Sequence, residues 1–302
     1  CKIAGGIADN PVTTLCASTK PSRLVVAPAM NLRLYENPAF LNAVTTLKRL
    51  GVTVIEPRID EGAAKVASVE KTVDYVIRKL SNSVLKGRGI LILTGPTRYD
   101  LDPVRYISNK ASGLIGYWLA KEAFWRGCKL KVIYGPGMTH FPEYIPVEKV
   151  YTVEDMLSST INNLKKGDFE AAVFSAAILD FKPKKYLPEK VKSGSEWIVE
   201  LSPTPKVIVE AHKMFPHVRI IGFKLEFKVS KEKLLNEAIK EMKKAGASII
   251  VANDLSEIKC GIHKALLISS DGEVVEFDGD KRELASKILD MLEKKILSSG
   301  SP

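Results

Sequence analysis

Two stretches of the chain combine cationic, amide and small side chains in a way that suits a bound polyanion. The first, Gly95–Gly116 (GPTRYDLDPVRYISNKASGLIG), follows an apolar run, precedes a predicted helix and carries Arg98, Arg105 and Lys110. Backbone N–H groups at a helix start, together with the helix dipole, favour an anion there. The stretch matches neither a Walker A motif nor G-x-G-x-x-G. A plain surface loop is the competing interpretation, but about 18 residues without secondary structure in a compact domain usually serve a function.

The second stretch, Phe174–Lys192 (FSAAILDFKPKKYLPEKVK), places one acid ahead of a run of lysines. Asp180 follows the end of a predicted strand, and the lysines after it are Lys182, Lys184, Lys185, Lys190 and Lys192. A carboxylate with several ammonium groups suits a polyphosphate and its magnesium ion. A flexible charged loop is the alternative when this stretch is taken alone.

These stretches fall between predicted strands and helices that alternate along the chain. The apolar run Gly89–Thr94 (GILILT) predicts a strand covered on both faces, and a helix is predicted from residue 113 to residue 126. Further strands are predicted at Lys131–Tyr134, Ala171–Ala177, Trp197–Leu201, Arg219–Phe223 and Ser248–Asn253, with helices at 152–165 and 231–245 and after Asp280. Asp271-Gly272 predicts a two-residue hairpin turn. The alternation predicts a doubly wound parallel α/β sheet, in which ligands bind beyond the carboxyl ends of the strands.

The N-terminal part shows a shorter version of the same alternation. Strands are predicted at Arg23–Pro28 and Val52–Glu56, and helices at Glu36–Leu50 and Ser68–Leu80. Polar, glycine-containing residues 81–88 predict a linker. The chain is therefore divided into an N-terminal domain, 1–84, and a C-terminal domain, 85–302. Because the first residue is a cysteine rather than methionine, we expect a fragment or a processed product.

Composition narrows the classes of function. The 302 residues carry 45 Lys and Arg against 35 Asp and Glu, a net charge of +10, which favours anionic partners. No segment gathers basic and aromatic side chains into a nucleic-acid reading surface, and no apolar run reaches the ~18–20 residues of a membrane span. Separated cysteines (Cys1, Cys16, Cys128, Cys260) exclude a zinc ribbon or a disulfide framework and suit a reducing cytoplasm. The absence of glutamine beside abundant Lys and Glu is typical of proteins from hot environments.

Several motifs, in order, resemble those of one enzyme family. The two stretches above, with IIGFKLE at Ile220–Glu226 and IIVAND at Ile249–Asp254, resemble phosphopantothenate–cysteine ligases. KIAGGIADN at Lys2–Asn10, APAMN at Ala27–Asn31 and YENPAF at Tyr35–Phe40 resemble phosphopantothenoylcysteine decarboxylases, the other half of the same bifunctional protein. The resemblance implies a Rossmann-like ligase domain with a C-terminal hairpin. It also implies a preceding flavodoxin-like flavoprotein domain of which only the C-terminal part is present.

The ligase resemblance implies a role in coenzyme A biosynthesis. CTP would activate 4′-phosphopantothenate as an acyl-cytidylate with release of pyrophosphate, the cysteine amine would displace CMP, and Mg²⁺ would accompany the nucleotide. Asn109 would hold the acyl-cytidylate, Lys190 would neutralise phosphate charge, and Asp180 would contact the nucleotide and the metal. The other implied nucleotide-binding residues are Gly95, Phe174, Ser175, Ala176, Pro205, Lys206, Val207, Ile208, Phe223 and Lys244.

The assignment of Lys244 to the nucleotide site depends on an imperfect match to the family motif. Alignment places Glu241 and Ala245 where many family members carry lysines, so the choice among Lys240, Lys243 and Lys244 stays open. The residues also leave ATP open as an alternative to CTP, because the choice of base depends on backbone geometry.

The decarboxylase resemblance implies Asn31 as a catalytic residue that engages the substrate. It implies FMN as the cofactor that oxidises the cysteinyl moiety and, after loss of carbon dioxide, reduces the product to 4′-phosphopantetheine. The family's flap cysteine has no counterpart in Asp60–Glu70 (DEGAAKVASVE), and the family's N-terminal histidine is not in this chain. With two evident strands, residues 1–84 do not build a complete flavin-binding sheet by themselves.

Two other classes of function stay open on the residues alone. One is a non-catalytic binding or regulatory relative of the decarboxylase, against which Asn109, Asp180 and Lys190 argue. The other is a nicotinamide-dependent oxidoreductase on the same fold, which the missing G-x-G-x-x-G disfavours. The family further implies a cytoplasmic homodimer paired through the ligase domain, larger homo-oligomers where the flavin domain is complete, and no nucleic-acid or membrane partner.

Overall fold

The computed structural model describes residues 1–194, 196–258 and 261–299, and the chain divides into two compact units. The first unit comprises Cys1–Asn82 with Trp125–Gly127, and the second comprises Ser83–Phe124 with Cys128–Pro302. Cys260 lies outside the described residues, and no disulfide joins Cys1, Cys16 and Cys128. No helix in the described part of the chain is long and apolar enough to cross a membrane.

The first unit contains short strands and four helices. The strands are β1 (Val25–Val26), β2 (Met30–Asn31), β3 (Thr53–Val54), β4 (Arg58–Asp60) and β5 (Ala63–Lys65), and the helices are α1 (Pro11–Ser18), α2 (Leu32–Tyr35), α3 (Pro38–Arg49) and α4 (Val69–Leu80). Strands β1 and β3 pair in parallel, as the predicted strands at those positions would. Strands β2, β5 and β4 form an antiparallel sheet that the pattern analysis missed.

The missed sheet is held by a tight turn. Glu61 and Gly62 both adopt left-handed backbone angles, φ +48° and +70°, which is the geometry of a two-residue hairpin turn. The flanking strands are only three residues long and show no clean apolar alternation, so periodicity could not reveal them.

The second unit contains the larger set of elements. Its strands are β6 (Gly89–Thr94), β7 (Arg98–Asp100), β8 (Tyr106–Ser108), β9 (Lys129–Tyr134), β10 (Val147–Lys149), β11 (Phe169–Phe174), β12 (Phe181–Pro183), β13 (Leu201–Pro203), β14 (Arg219–Glu226), β15 (Ala247–Asp254), β16 (His263–Ser269) and β17 (Val274–Gly279). Its helices are α5 (Leu114–Trp125), α6 (Val153–Lys166), α7 (Val207–Met214), α8 (Lys231–Ala245) and α9 (Lys281–Ser299).

Eight of these strands form one sheet in the order β10-β9-β6-β11-β14-β15-β16-β17. The pairs from β10 through β15 are parallel, and β16 and β17 add an antiparallel hairpin at one edge. The predicted doubly wound sheet with a C-terminal hairpin is therefore confirmed.

Alternating side chains of β6 show why helices cover both faces of this sheet. Ile90 and Ile92 pack with apolar residues of α5 and α9, whereas Leu91 and Leu93 pack with those of α6, α7 and α8. Each of these β6 side chains is at most 1% exposed. Burial on both faces is what a continuous apolar strand predicts.

The stretch from residue 95 to residue 112 differs from the expected structureless loop. It contains the hairpin β7–β8, in which Arg98 pairs with Ser108. Tyr99 and Ile107 of this hairpin pack against the α6–α8 side of the core, and this packing orders the stretch. The strand predicted at Trp197–Leu201 is likewise displaced: Leu201–Pro203 forms β13, which pairs with β12 as a separate two-stranded ribbon.

Candidate functional site

The candidate site lies where the chain leaves β6 and β11 in opposite directions. The chain continues from β6 through α5 to β9 on one side, and from β11 through α7 to β14 on the other. The loops after β6 and β11 therefore part from each other at the carboxyl edge of the sheet. Such a switch point is the usual ligand-binding crevice of a doubly wound fold.

Asn109 joins the two loops across this crevice. Its Nδ2 donates hydrogen bonds to the carbonyl oxygens of Ala177, at 3.1 Å, and Ile178, at 3.2 Å. The residue is exposed, and among the described residues its Oδ1 meets no donor. The Asn109 amide oxygen is therefore available to accept an N–H or O–H from a ligand.

Glycines bring the first loop close to the sheet. Gly95 and Gly113 have φ of +78° and +84°, and a Cβ on either would lie within 2.8 Å of the Tyr134 ring. Tyr134 in turn accepts a hydrogen bond from the Thr139 N–H at 2.8 Å. Gly95 thus has a structural reason for its residue type, independent of any ligand.

The predicted wall Phe174–Ala176 continues the pairing between β11 and β6. The N–H and hydroxyl of Ser175 both donate to the Leu93 carbonyl, each at 2.9 Å. The Phe174 side chain is 5% exposed and belongs to the core. These two residues therefore shape the base of the crevice from within the sheet, and the Ser175 N–H is already used.

Asp180 meets a lysine that lies far from it in sequence. Lys206 Nζ lies 2.6 Å from Asp180 Oδ1, and both side chains are about half exposed. The ribbon β12–β13 brings them together, because Thr204 N–H donates to the Asp180 carbonyl and Thr204 Oγ1 to the Leu179 carbonyl. Pro205 and Lys206 lead into α7, which begins with the buried Val207 and with Ile208. Two sequence-predicted segments are thus joined at one edge.

The lysines after Asp180 have different surroundings. Lys182 Nζ lies 2.5 Å from Glu154 Oε1, and Lys184 Nζ lies 3.4 Å from Glu200. Lys190 is exposed, and among the described residues it has no ion pair. Lys185 and Lys192 are also exposed and form no ion pair with the described residues, so Lys190 is one of three free charges here and is the one that the family resemblance implies for the phosphates.

Glu154 is a residue that sequence reasoning missed. It lies in the first turn of α6, accepts a short hydrogen bond from the Tyr99 hydroxyl and pairs with Lys182. Burial acts to raise the pKa of Glu154, but the Lys182 and Tyr99 donors outweigh it and the pKa is lowered. Burial and the neighbouring Glu154 raise the pKa of Tyr99 well above its ordinary value. The network ties β7, α6 and β12 together, and its partners are 28 and 55 residues apart, so no local pattern signals it.

The remaining predicted residues of the second unit lie in two places. Phe223 follows the register position where Gly222 pairs with Phe174, is half-buried and packs on the α5–α9 side of the core. Lys244 lies in the last turn of α8, which leads into the amino end of β15. The parallel pairing of β14 and β15 puts that turn at the edge opposite to Asn109 and Asp180, so the structure does not bring Lys244 to them within one chain.

The AND motif at the end of β15 holds loops together. Asn253 Nδ2 donates to the Lys264 carbonyl at 3.0 Å. The buried Asp254 carboxylate accepts the N–H groups of Lys228 and Val229 and the hydroxyl of Ser256. These donors, Ser256 first, hold the pKa of Asp254 well below its ordinary value. Lys228 is held at φ +53°, in the left-handed region.

Asn31 in the first unit caps a helix. Its Oδ1 accepts the Arg33 N–H at 2.9 Å at the start of α2, and the residue is exposed. Asn31 also pairs with Ala63 in β5, which places the β4–β5 hairpin beside it. The hairpin includes part of the stretch that was matched to the decarboxylase flap.

Comparisons with known proteins cover both units. Residues 85–296 match the family described as "DNA/pantothenate metabolism flavoprotein C-terminal domain", and residues 1–81 match the family described as "Flavoprotein". The coenzyme A biosynthesis bifunctional protein CoaBC of Thermococcus kodakarensis is 38% identical over 297 residues, which are 98% of this chain and 73% of that protein. The protein of the same name from Methanocaldococcus jannaschii is 35% identical over 98% of this chain and 73% of its own length.

A solved structure is also similar. The crystal structure of the C-terminal domain of coenzyme A biosynthesis bifunctional protein CoaBC superposes with a TM-score of 0.61 at 28% identity. It covers 72% of this chain and all of that domain.

Proposed function

We propose a function from the premise that this chain belongs to the family of bifunctional coenzyme A biosynthesis proteins, with a flavoprotein region followed by the DNA/pantothenate metabolism flavoprotein C-terminal domain. Its second unit ligates 4′-phosphopantothenate to cysteine at the expense of CTP. Its first unit belongs to the decarboxylase that acts on the product. The observation that carries the ligase proposal is Asn109 bridging the two loops of the switch point beside the Asp180–Lys206 pair.

The reaction has two steps that balance. A carboxylate oxygen of 4′-phosphopantothenate attacks the α-phosphorus of CTP, and pyrophosphate leaves with the electrons of the broken P–O bond. The neutral amine of cysteine then attacks the acyl carbon, CMP leaves, and the amine proton passes to solvent. Activation divides a difficult amide synthesis into two easier displacements.

Roles for the chain's own residues follow from their surroundings. Lys190 carries a charge that no described residue pairs, so it supplies the positive charge that stabilises phosphate oxygens in the first step. Asn109 donates to the β11 loop and presents its Oδ1 to the acyl-cytidylate or the incoming amine. Lys206 pairs with Asp180 and is the N-cap residue of α7, whose first-turn N–H groups would favour an anion at the same edge.

Asp180 is the carboxylate that fits a magnesium ion. Within the described ranges, no cluster of three or more His, Cys, Asp or Glu side chains could hold a metal. A single carboxylate suffices where phosphate oxygens and water supply the other ligands. Asp180 would then hold Mg²⁺ together with the nucleotide phosphates, and the ion would neutralise part of their charge.

The first unit does not fit FMN in the same way. Among residues 1–82, all of which the structure describes, the parallel pairing is limited to the two-residue strands β1 and β3. A flavin in a doubly wound fold binds at the carboxyl edge of a wider parallel sheet. These residues by themselves do not form an FMN cradle, and the role proposed for Asn31 is contact with the acyl-cysteine substrate.

Release of pyrophosphate tests the ligase proposal. The purified chain is given 4′-phosphopantothenate, Mg²⁺ and either CTP or ATP, with and without cysteine. We expect CTP-dependent release, and CMP with the amide product once cysteine is added. Release with ATP alone would keep the reaction and overturn the choice of base, whereas no release with either nucleotide would contradict the ligase function.

A further inference from the structure

A buried carboxylate lies in the turn between β7 and β8, next to the candidate site. Asp102 is 1% exposed. Its Oδ1 accepts the N–H groups of Val104, at 2.8 Å, and Arg105, at 2.7 Å. Its Oδ2 accepts Arg105 Nη1 at 2.6 Å and the N–H of Val191 at 3.2 Å. The last of these donors is 89 residues away in sequence.

The same turn holds Val191 from its other side. Arg105 Nη1 and Nη2 each lie 3.3 Å from the Val191 carbonyl oxygen. The Arg105 guanidinium lies 5.3 Å from the centroid of the Trp197 ring, and the Leu101 carbonyl accepts the Leu187 N–H at 3.0 Å. Both backbone groups of Val191 are therefore fixed, and we call Asp102, Arg105 and the Val191 backbone the Asp102 clasp.

The clasp acts on a segment with little other support. Residues 184–186 and 188–190 are exposed, and the described residues between β12 and β13 form no helix or strand. Lys190 directly precedes Val191. A backbone fixed one residue away limits the volume that the Lys190 ammonium can reach, whereas the same lysine on an unanchored loop would spread its charge over many positions.

A carboxylate suits this position for a chemical reason. Two oxygens with two lone pairs each can accept all four of the observed donors. An asparagine would offer one oxygen and would turn an NH₂ group toward the donors of Arg105 or of the backbone.

We propose that Asp102 is a positioning residue of the ligase, which holds Lys190 in place for the nucleotide phosphates through Arg105 and the Val191 backbone. The proposal rests on the function proposed above, because it presumes that Lys190 acts in the first step. It adds a residue that contacts neither nucleotide nor acyl group and acts through another side chain.

The test compares Asp102→Asn with Asp100→Asn in the full chain. Asp100 lies two residues earlier on the same hairpin and has an exposed side chain. Asp100→Asn therefore removes the same charge from the same hairpin without removing a buried carboxylate. A misplaced catalytic group lowers the reaction rate on the order of 10²-fold. We therefore expect kcat for CTP-dependent pyrophosphate release to fall about 10- to 100-fold in Asp102→Asn. Asp100→Asn should keep the wild-type kcat, and the KM for 4′-phosphopantothenate should change little in either variant.

A double-variant cycle separates positioning from a general loss of structure. In a Lys190→Ala background, Asp102→Asn should lower kcat no further, because the group that it positions is gone. If the two substitutions lowered kcat independently, so that the loss in the double variant was the product of the two single losses, the proposal would be overturned. If Lys190→Ala kept full activity, the proposed role of Lys190 would be contradicted. If Lys190→Ala lost activity while Asp102→Asn kept the wild-type kcat, only the positioning role of Asp102 would be contradicted.

A readout that needs no activity completes the test. Amide hydrogen exchange at Val191 should be faster in Asp102→Asn than in Asp100→Asn, because the Val191 N–H loses its carboxylate acceptor. Equal protection in the two variants would contradict the clasp. Should Asp102→Asn fail to fold, Arg105→Lys serves in its place, since it keeps the charge but loses the forked contact with the Val191 carbonyl.

Discussion

At the scale of single residues, the cations around Asp180 differ in what they contact. Lys182 and Lys206 neutralise Glu154 and Asp180, whereas Lys190 has no ion pair in the described part of the chain. An exposed ion pair stabilises a protein by at most about 1 kcal/mol, so the paired lysines can be redirected to a ligand at small cost. Lys190 would not have to give up an ion pair in order to bind a phosphate.

Lys190→Ala should lower kcat for CTP-dependent pyrophosphate release by about 10²- to 10³-fold, the range for loss of one preorganised group that stabilises developing charge. Thermal stability should stay unchanged, because the side chain is exposed. Lys165→Ala is the control, since Lys165 is an exposed lysine in the last turn of α6, at the opposite edge of the sheet. Wild-type turnover in Lys190→Ala would contradict the assignment.

Asn109 gives a second prediction, in which two substitutions are ranked. Asn109→Asp should be at least about tenfold less active than Asn109→Ala, because a carboxylate would face the Ala177 and Ile178 carbonyls and a phosphate without a donor. Pyrophosphate release and amide formation are measured for both variants. An aspartate variant more active than the alanine variant would show that Asn109 does not lie beside the acyl-phosphate.

At the scale of elements, Asp254 shows how a sheet edge organises its loops. Its carboxylate ties the β14–α8 connection, through the Lys228 and Val229 N–H groups, to the turn after β15. These hydrogen bonds offset the conformational free energy that is needed to hold Lys228 in the left-handed region. The AND motif therefore has a structural explanation on this chain.

Asp254→Asn should lower the melting temperature at pH 7, and the difference from wild type should shrink in acid. The folded-state pKa lies below the unfolded value, so the unfolded state binds more protons and the stabilisation is lost as pH falls through the folded-state pKa. Melting curves from pH 7 down to pH 2 check this, with Asp278→Asn, at an exposed position of β17, as the control. A difference that is constant with pH would argue against an ionised Asp254 in the fold.

At the scale of the whole molecule, the two units carry separate halves of the proposed chemistry. Asn109, Asp180 and Lys190 all belong to the second unit, and Asn31 belongs to the first. The second unit also contains the complete eight-stranded sheet with its two helical layers. A unit with its own core can in principle fold alone.

A shortened chain, 83–302, is therefore expected to fold and to retain most of the CTP-dependent pyrophosphate release of the whole chain. Activity per mole and the thermal transition are compared for the two lengths. A folded piece without activity would show that residues 1–82 contribute to the ligase site.

The sequence by itself determined the class of fold, the family and the segments that carry the chemistry. Strand and helix periods and the Asp271-Gly272 turn have local causes, so they can be recognised without knowing what packs against them. The motifs around Asn109 and Asp180 are contiguous, and they identify the family without tertiary information.

Only the tertiary structure decided which of these residues meet. Lys206 lies beside Asp180 across 26 residues, and Asp102 holds Val191 across 89, because the order of strands in the sheet brings those loops to one edge. The same order separates Lys244 from Asp180 and Lys206, although the family resemblance groups these three residues in one nucleotide site. Contacts between distant segments depend on which strand packs next to which, and no local pattern of residue types records that choice.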